Sequence, residues 1–92
     1  MKQMVEVEYV GIEDVQEIMD DALACMREGH YVNVEISSIF SIPRVSVIIM
    51  LGKWQMGKKF DYSFEFEMSD NPEEVNKMNE CKCVLKNLLV ED

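Results

Sequence analysis

The chain has 92 residues, 48% of them hydrophobic, and its 18 acidic residues against nine basic ones give a net charge of −9. This length accommodates one domain with one core, and the hydrophobic fraction is too high for a disordered tail. The negative charge argues against direct binding of nucleic acid and against an anionic membrane surface. We therefore expect a single α+β domain over residues 1–92, whose charge either favours a basic protein partner or serves only solubility.

The cysteines and the start of the chain bear on its location. No run of roughly 18 apolar residues occurs, and residues 1–6 lack the apolar core of a signal peptide. Cys25, Cys81 and Cys83 form an odd set, which fits reduced thiols better than a disulfide framework. We therefore expect a cytoplasmic protein without disulfides.

A strand and an amphipathic helix are the first predicted elements. Residues 4–10 alternate apolar with charged side chains, which predicts a half-buried strand ending at Gly11. Residues 12–28 then follow the helical period, with Ile12, Val15, Ile18, Met19, Ala22, Leu23 and Met26 forming one core-facing stripe. Gly29 stands where glycine commonly ends a helix.

The next three predicted elements are strands. Residues 31–37 and 44–55 alternate again, and residues 58–68 alternate aromatic or methionine side chains with polar ones without error. A tight turn over residues 55–58 would set the register of the last two strands. In that register the predicted cross-strand pairs are Leu51–Tyr62, Ile49–Phe64, Val47–Phe66 and Val45–Met68.

A second helix completes the predicted architecture. Asn71 is favoured at an N-cap, Pro72 at the first helical position and Glu74 three residues after the cap, and apolar residues continue at helical spacing through residue 90. The resulting order is β-α-β-β-β-α, for which we expect a four-stranded, mainly antiparallel sheet with two helices packed on one face. The position of the first strand stays open.

The first candidate site is an acidic face on the first helix, opposite the apolar stripe. It consists of Glu13, Asp14, Glu17, Asp20, Asp21 and Glu28. Carboxylates four residues apart on a helix are spaced about 6 Å apart, which resembles the spacing of phosphates along a nucleic-acid strand. The face could therefore imitate nucleic acid for a basic groove, and the alternative is an ordinary solvated helix face.

A second candidate is the sheet face that the helices leave open. It should expose Ile48 and Met50 within an acidic rim that includes Glu65 and Glu67, and an apolar centre with a charged rim is typical of protein contacts. The alternatives are apolar residues that are simply tolerated there, or a loop that covers them. The nearby hairpin tip adds Trp54 opposite a lysine, which fits local cation–π packing, a protein contact or stacking on a base.

The connection over residues 37–43 is unusually apolar because it contains Ile39, Phe40 and Ile42. We expect these side chains to fold back as a lid on the core and Pro43 to end the connection, since proline cannot donate to a sheet ladder. The alternative is a hydrophobic insertion that enters a partner.

Catalytic and metal-binding patterns are missing from the sequence. It contains one histidine, His30, and no nucleophile elbow, phosphate loop, zinc-protease motif or calcium loop. Exposed carboxylates lack the burial that separates an acid from a base by pKa. Cys25, Cys81 and Cys83 with His30 have the wrong spacing for a zinc site. We therefore expect no catalytic residue, no metal and no cofactor.

The leading hypothesis is a small, acidic, non-enzymatic protein-binding module that acts on a basic nucleic-acid-handling protein. In composition the chain is similar to the small acidic α+β inhibitors of phages and mobile elements, and this resemblance implies an inhibitor or nucleic-acid mimic. The alternative is a structural or assembly protein that self-associates, for example as a homodimer, through the outer sheet face. A small-molecule binder or an unrecognised enzyme is a third class.

Overall fold

Two helices and three strands make up the part of the chain that the computed structural model describes, residues 9–90 without the side chains of Ile39 and Val90. In chain order they are α1 (Ile12–Arg27), β1 (Tyr31–Ile39), β2 (Ile42–Met50), β3 (Tyr62–Glu67) and α2 (Pro72–Val90). The strands form one antiparallel sheet of order β1-β2-β3. The predicted α+β class is confirmed.

The predicted four-stranded sheet and its element order do not match the described residues, in which the sheet has three strands. The strand predicted over residues 4–10 lies mostly outside that part of the chain. Tyr9 and Val10, which lie within it, belong to no strand. Val10 is buried and its N–H donates to the C=O of Ser69 at 2.8 Å, so it joins the core just ahead of α1.

One apolar core joins both helices to the same side of the sheet. Its members include Val15, Ile18, Ala22 and Cys25 from α1, Val45, Val47 and Ile49 from β2, Phe66 from β3, and Met78, Cys81 and Leu85 from α2. Alternate residues of β2 contribute to this cluster, and alternate residues of a strand point to one face. Each fully buried aliphatic or aromatic side chain stabilises the fold by about 1.5–3 kcal/mol.

The register between β2 and β3 differs from the predicted one by two residues. The observed pairs are Ile49–Tyr62, Val47–Phe64 and Val45–Phe66. The tight turn does form locally, since the N–H of Lys58 donates to the C=O of Gln55 at 3.2 Å, but the ladder ends before reaching it. A shift of two leaves every side chain on its own face. The predicted pairs are therefore wrong although the predicted faces agree.

Hydrogen bonds to polar side chains and the conformation of a glycine keep residues 51–61 from pairing in the ladder. The N–H of Leu51 donates to Asp61 Oδ2 at 2.7 Å, and the N–H of Gly52 donates to His30 Nδ1 at 3.0 Å. Gly52 has a φ of 77°, in the left-handed region that favours glycine. Phe60 consequently lies in this loop, 46% exposed, rather than in a core-facing strand as the alternation predicts.

A two-residue turn joins β1 to β2 in place of the predicted connection over residues 38–43. Ile39 pairs with Ile42 at the end of the ladder, and Phe40 and Ser41 between them have φ values of 54° and 70°. Positive φ at both central residues is the pattern of a type I′ hairpin turn. Pro43 lies inside β2, where its C=O accepts the N–H of Met68 at 2.9 Å.

Candidate functional site

The end of the β1–β2 hairpin is an exposed apolar wedge. Phe40 is 93% exposed, and Ile36 and Ile42 beside it are also exposed. Ile36 pairs with the inward-facing Val45, whereas alternation places Ile42 on the opposite face, so the wedge is apolar on both faces. We refer to Ile36, Phe40 and Ile42 as the apolar tip.

The apolar tip cannot cover the core because the hairpin extends beyond its neighbours. β3 ends opposite Arg44, while β1 and β2 continue to pair through Ile39 and Ile42. The predicted lid is therefore wrong for Phe40 and Ile42, and the side chain of Ile39 lies outside the described part of the chain. The alternative of a hydrophobic insertion agrees with the exposure of Phe40.

The backbone of the apolar tip is strained. A non-glycine residue in the left-handed region costs about 1–2 kcal/mol, and type I′ turns prefer asparagine, aspartate or glycine at both central positions. Phe40 and Ser41 are thus poor residues for folding this turn. Strain that persists in a fold is a reason to look for a function at that position.

Half of the predicted acidic face is turned toward α2. Lys82 Nζ lies 2.5 Å from Asp14 Oδ1 and 3.3 Å from Glu17 Oε1. Lys86 Nζ lies 2.9 Å from Glu17 Oε2 and 2.9 Å from Asp21 Oδ2. These three carboxylates and two lysines form a ladder of ion pairs that joins the helices.

The lysines of this ladder favour the charged forms of Asp14 and Glu17. Burial raises the pKa of Asp14, but hydrogen bonds from Lys82 and from the N–H of Gly11 outweigh it, so the pKa lies below its ordinary value. The hydrogen bond from Lys86 has the largest effect on Glu17 and lowers its pKa. Neither group is therefore suited to act as an acid near neutral pH.

The ladder should make the stability of the fold sensitive to acid. Because the folded-state pKa values of Asp14 and Glu17 lie below their ordinary 3.8 and 4.5, their stabilisation is present above those values and is lost as the pH falls through the folded values. Lys82→Met should lower the free energy of unfolding by about 1 kcal/mol at pH 7 and flatten its acid dependence. Urea unfolding between pH 7 and pH 3 measures both quantities.

Lys77→Met is the matched control, because Lys77 is half exposed and its ion pair among the described residues is with Glu74 of the same helix, at 3.7 Å. It should change the free energy of unfolding by at most about 0.5 kcal/mol. An acid dependence that is the same in both variants would contradict a stabilising role for the ladder.

The other members of the predicted acidic face, Glu13, Asp20 and Glu28, are exposed. None of them makes an ion pair with another described residue. Three of the six predicted carboxylates are therefore left free of ion pairs with described residues, and they no longer follow the four-residue spacing, which makes them a weaker imitation of a phosphate backbone.

The loop between β2 and β3 covers part of the outer sheet face. Met50 is fully buried, since the N–H of Gln55 donates to its sulfur at 3.3 Å and Phe60 stacks on the neighbouring Tyr31 with ring centroids 6.4 Å apart. The predicted exposure of Met50 is wrong, and Ile48 is only partly exposed. The alternative in which a loop covers this face is therefore correct for Met50.

The rim of the outer face is partly neutralised. Arg44 lies 3.4 Å from Glu65 and 2.7 Å from Glu67, measured between nitrogen and oxygen atoms. Trp54 is exposed on the covering loop. Among the described aromatic contacts none joins Trp54 to Lys59, because the shorter ladder no longer places them opposite each other.

Only part of the apolar stripe of α1 reaches the core. Val15, Ile18 and Ala22 are buried, but Ile12, Met19, Leu23 and Met26 are exposed, which corrects their predicted core position. At about 100° per residue the stripe spans about 140°, more than the minimum that a core-facing helix needs. The excess width of the stripe was therefore the sequence signal that some of its residues would be exposed. Of the exposed residues, Met19, Leu23 and Met26 lie over the edge strand β1.

Two of the three cysteines lie in the core. Cys25 and Cys81 are fully buried, and burial raises the pKa of the Cys81 thiol to about 12. Within residues 9–90 no three His, Cys, Asp or Glu side chains are grouped to hold a metal ion. Neither described helix combines the length and apolar content needed to cross a bilayer.

The apolar tip and the exposed side of α1 are the surfaces left to explain. Both offer hydrophobic contact. Comparisons with known proteins give no further guidance, because no family model, curated protein or solved structure matches the chain.

Proposed function

We propose that the chain is a small, acidic, non-enzymatic protein-binding module that inserts its apolar tip into a pocket of a partner protein. The exposure of Phe40, at 93%, carries this proposal. Binding is favoured by about 25 cal/mol for each Å² of apolar surface that the partner removes from water. Buried aromatic anchors supply most of the binding energy in many interfaces.

The charge of the chain supports a partner with a basic surface. A net charge of −9 attracts a basic partner and speeds its association. Exposed carboxylates such as Glu13 and Glu28 would lie outside the apolar contact and steer the encounter. A cytoplasmic nucleic-acid-handling protein is one such partner, and the module would inhibit it by occupying its basic surface.

Substitution of Phe40 tests the proposal. A photo-cross-linking residue at position 40 identifies the partner, and calorimetry with the purified partner then gives the dissociation constant. Phe40→Ala should weaken binding by about 30-fold or more, the effect of a contact residue worth 2 kcal/mol. Met56→Ala is the control, because Met56 is 85% exposed on the loop between β2 and β3 and should leave affinity unchanged.

Charge reversal separates the proposal from nucleic-acid mimicry. Glu13→Lys with Glu28→Lys should slow association and reduce its salt dependence, while the complex stays stable once formed. Loss of binding in that variant, together with normal binding by Phe40→Ala, would overturn the role of the apolar tip and favour mimicry.

A further inference from the structure

We infer that the chain forms a homodimer in which α1 packs antiparallel against α1 of a second copy, with the two β1 edges side by side. This inference goes beyond the proposed function and uses a different surface. It begins from the exposed apolar side of α1, where Leu23 at the centre is 56% exposed. Met19 and Met26 flank Leu23 and are also exposed.

The exposed side of α1 overhangs a groove at the edge of the sheet. Met19, Leu23 and Met26 form its upper wall, β1 forms its floor through Val32 and Val34, and its volume is about 240 Å³. Methionine side chains adapt to irregular apolar partners and are common at binding surfaces. The groove is therefore better suited to contact with a protein surface than to exposure to water.

The floor of this groove is an unprotected edge strand. Among the described residues β1 pairs only with β2, through an unbroken register of nine residues. Its sequence has one charged residue, Glu35, and no proline. Edge strands usually avoid pairing with other chains by charges, prolines or bulges. Within residues 9–90 no strand pairs with the outer backbone edge of β1, so that edge can accept a strand of another chain.

The spacing of charges on α1 indicates that a second copy of the chain occupies the groove. Asp20 and Arg27 border the apolar side of α1, seven residues apart with Leu23 between them. About a two-fold axis beside Leu23, antiparallel helices bring Leu23 next to its own copy and Asp20 next to Arg27 of the other copy. Met19 and Met26 meet in the same way, and a two-fold axis makes every such contact twice.

Electrostatics favours this surface over the outer sheet face for self-association. Neither Asp20 nor Arg27 forms an ion pair within the described part of its own chain, so both are free to pair across the axis. An outer-face dimer would instead bring Glu35 and Glu65 of both copies together. The dimer inferred here extends the sheet and directs its two apolar tips to opposite ends.

Charge exchange at positions 20 and 27 tests the arrangement. Asp20→Arg and Arg27→Asp each place like charges at both contacts and should raise the dimer dissociation constant at least about tenfold. Mixing the two single variants places opposite charges at both contacts, so a heterodimer should form. Sedimentation velocity and native mass spectrometry of the isolated chain measure these masses independently of any other partner.

Two further variants separate the contact from the fold. Leu23→Glu should give a folded monomer by circular dichroism, whereas Phe40→Glu, an equally drastic change on the apolar tip, should remain dimeric. A wild-type monomer at the highest attainable concentration would overturn the inference and leave the groove to residues 1–8 or to a different protein. Single variants that stay dimeric, with a mixture that gains nothing, would place the interface elsewhere.

Discussion

Phe66→Ala should lower the free energy of unfolding by about 3–5 kcal/mol, the largest effect expected from a single substitution in this chain. Phe66 is fully buried, pairs with Val45 and belongs to the cluster that joins both helices to the sheet. Removing its ring loses the transfer free energy of the aromatic atoms and leaves a cavity. Because small domains are stable by only about 5–15 kcal/mol in total, this loss is a large fraction of the free energy of unfolding.

Phe60→Ala is the matched control, since both phenylalanines belong to one alternating run in the sequence. Phe60 is half exposed in the loop and stacks on Tyr31, so its loss should cost at most about 1.5 kcal/mol. Urea unfolding of both variants, monitored by circular dichroism, gives the comparison. Equal losses of stability would place Phe60 in the core and contradict the observed register.

The two phenylalanines show how far alternation predicts a sheet. Period two assigns Val45, Val47 and Phe66 to the buried face, and the structure agrees. The same period is satisfied by any register shifted by two residues, so it cannot determine where a ladder ends. That end depends on hydrogen bonds between distant residues, such as Gly52 to His30, which no local pattern contains.

The helices were predicted more closely because their end signals are local. The expected ranges, 12–28 and 72–90, nearly coincide with α1 and α2. Gly29 ends α1 with a φ of 102°, and Asn71 Oδ1 accepts the N–H of Glu73 at 2.9 Å at the start of α2. Helical periodicity does not reveal which neighbour meets which side of a helix, however.

The candidate surfaces depend on which neighbouring element packs against each side of a helix. The acidic face of α1 follows from helical geometry, but its pairing with Lys82 and Lys86 links residues more than 60 positions apart. The exposure of Leu23 likewise follows from the placement of α1 near the sheet edge. Phe40-Ser41 lacks the asparagine–glycine or aspartate–glycine signal of a two-residue hairpin turn, so no local pattern in the sequence indicates that the apolar tip ends a hairpin.

Supplying that signal gives the second large prediction. Phe40→Asn combined with Ser41→Gly should raise the free energy of unfolding by about 1–3 kcal/mol, because both new residues accept positive φ with little strain. For a domain of this length each kcal/mol corresponds to about 4–8 °C in Tm. The same variant should lose binding to the partner, since the aromatic anchor is gone. Differential scanning calorimetry and binding calorimetry measure the two effects.

Phe40→Ala separates strain from contact, because it removes the ring but keeps a non-glycine residue in the left-handed region. It should lose binding without gaining the stability of the asparagine–glycine variant. If the asparagine–glycine variant is more stable and still binds, the strained backbone serves no contact with the partner. If the Tm of that variant is unchanged, the turn is not strained. Gain of stability with loss of binding is the result expected where a residue is kept for function at the expense of folding.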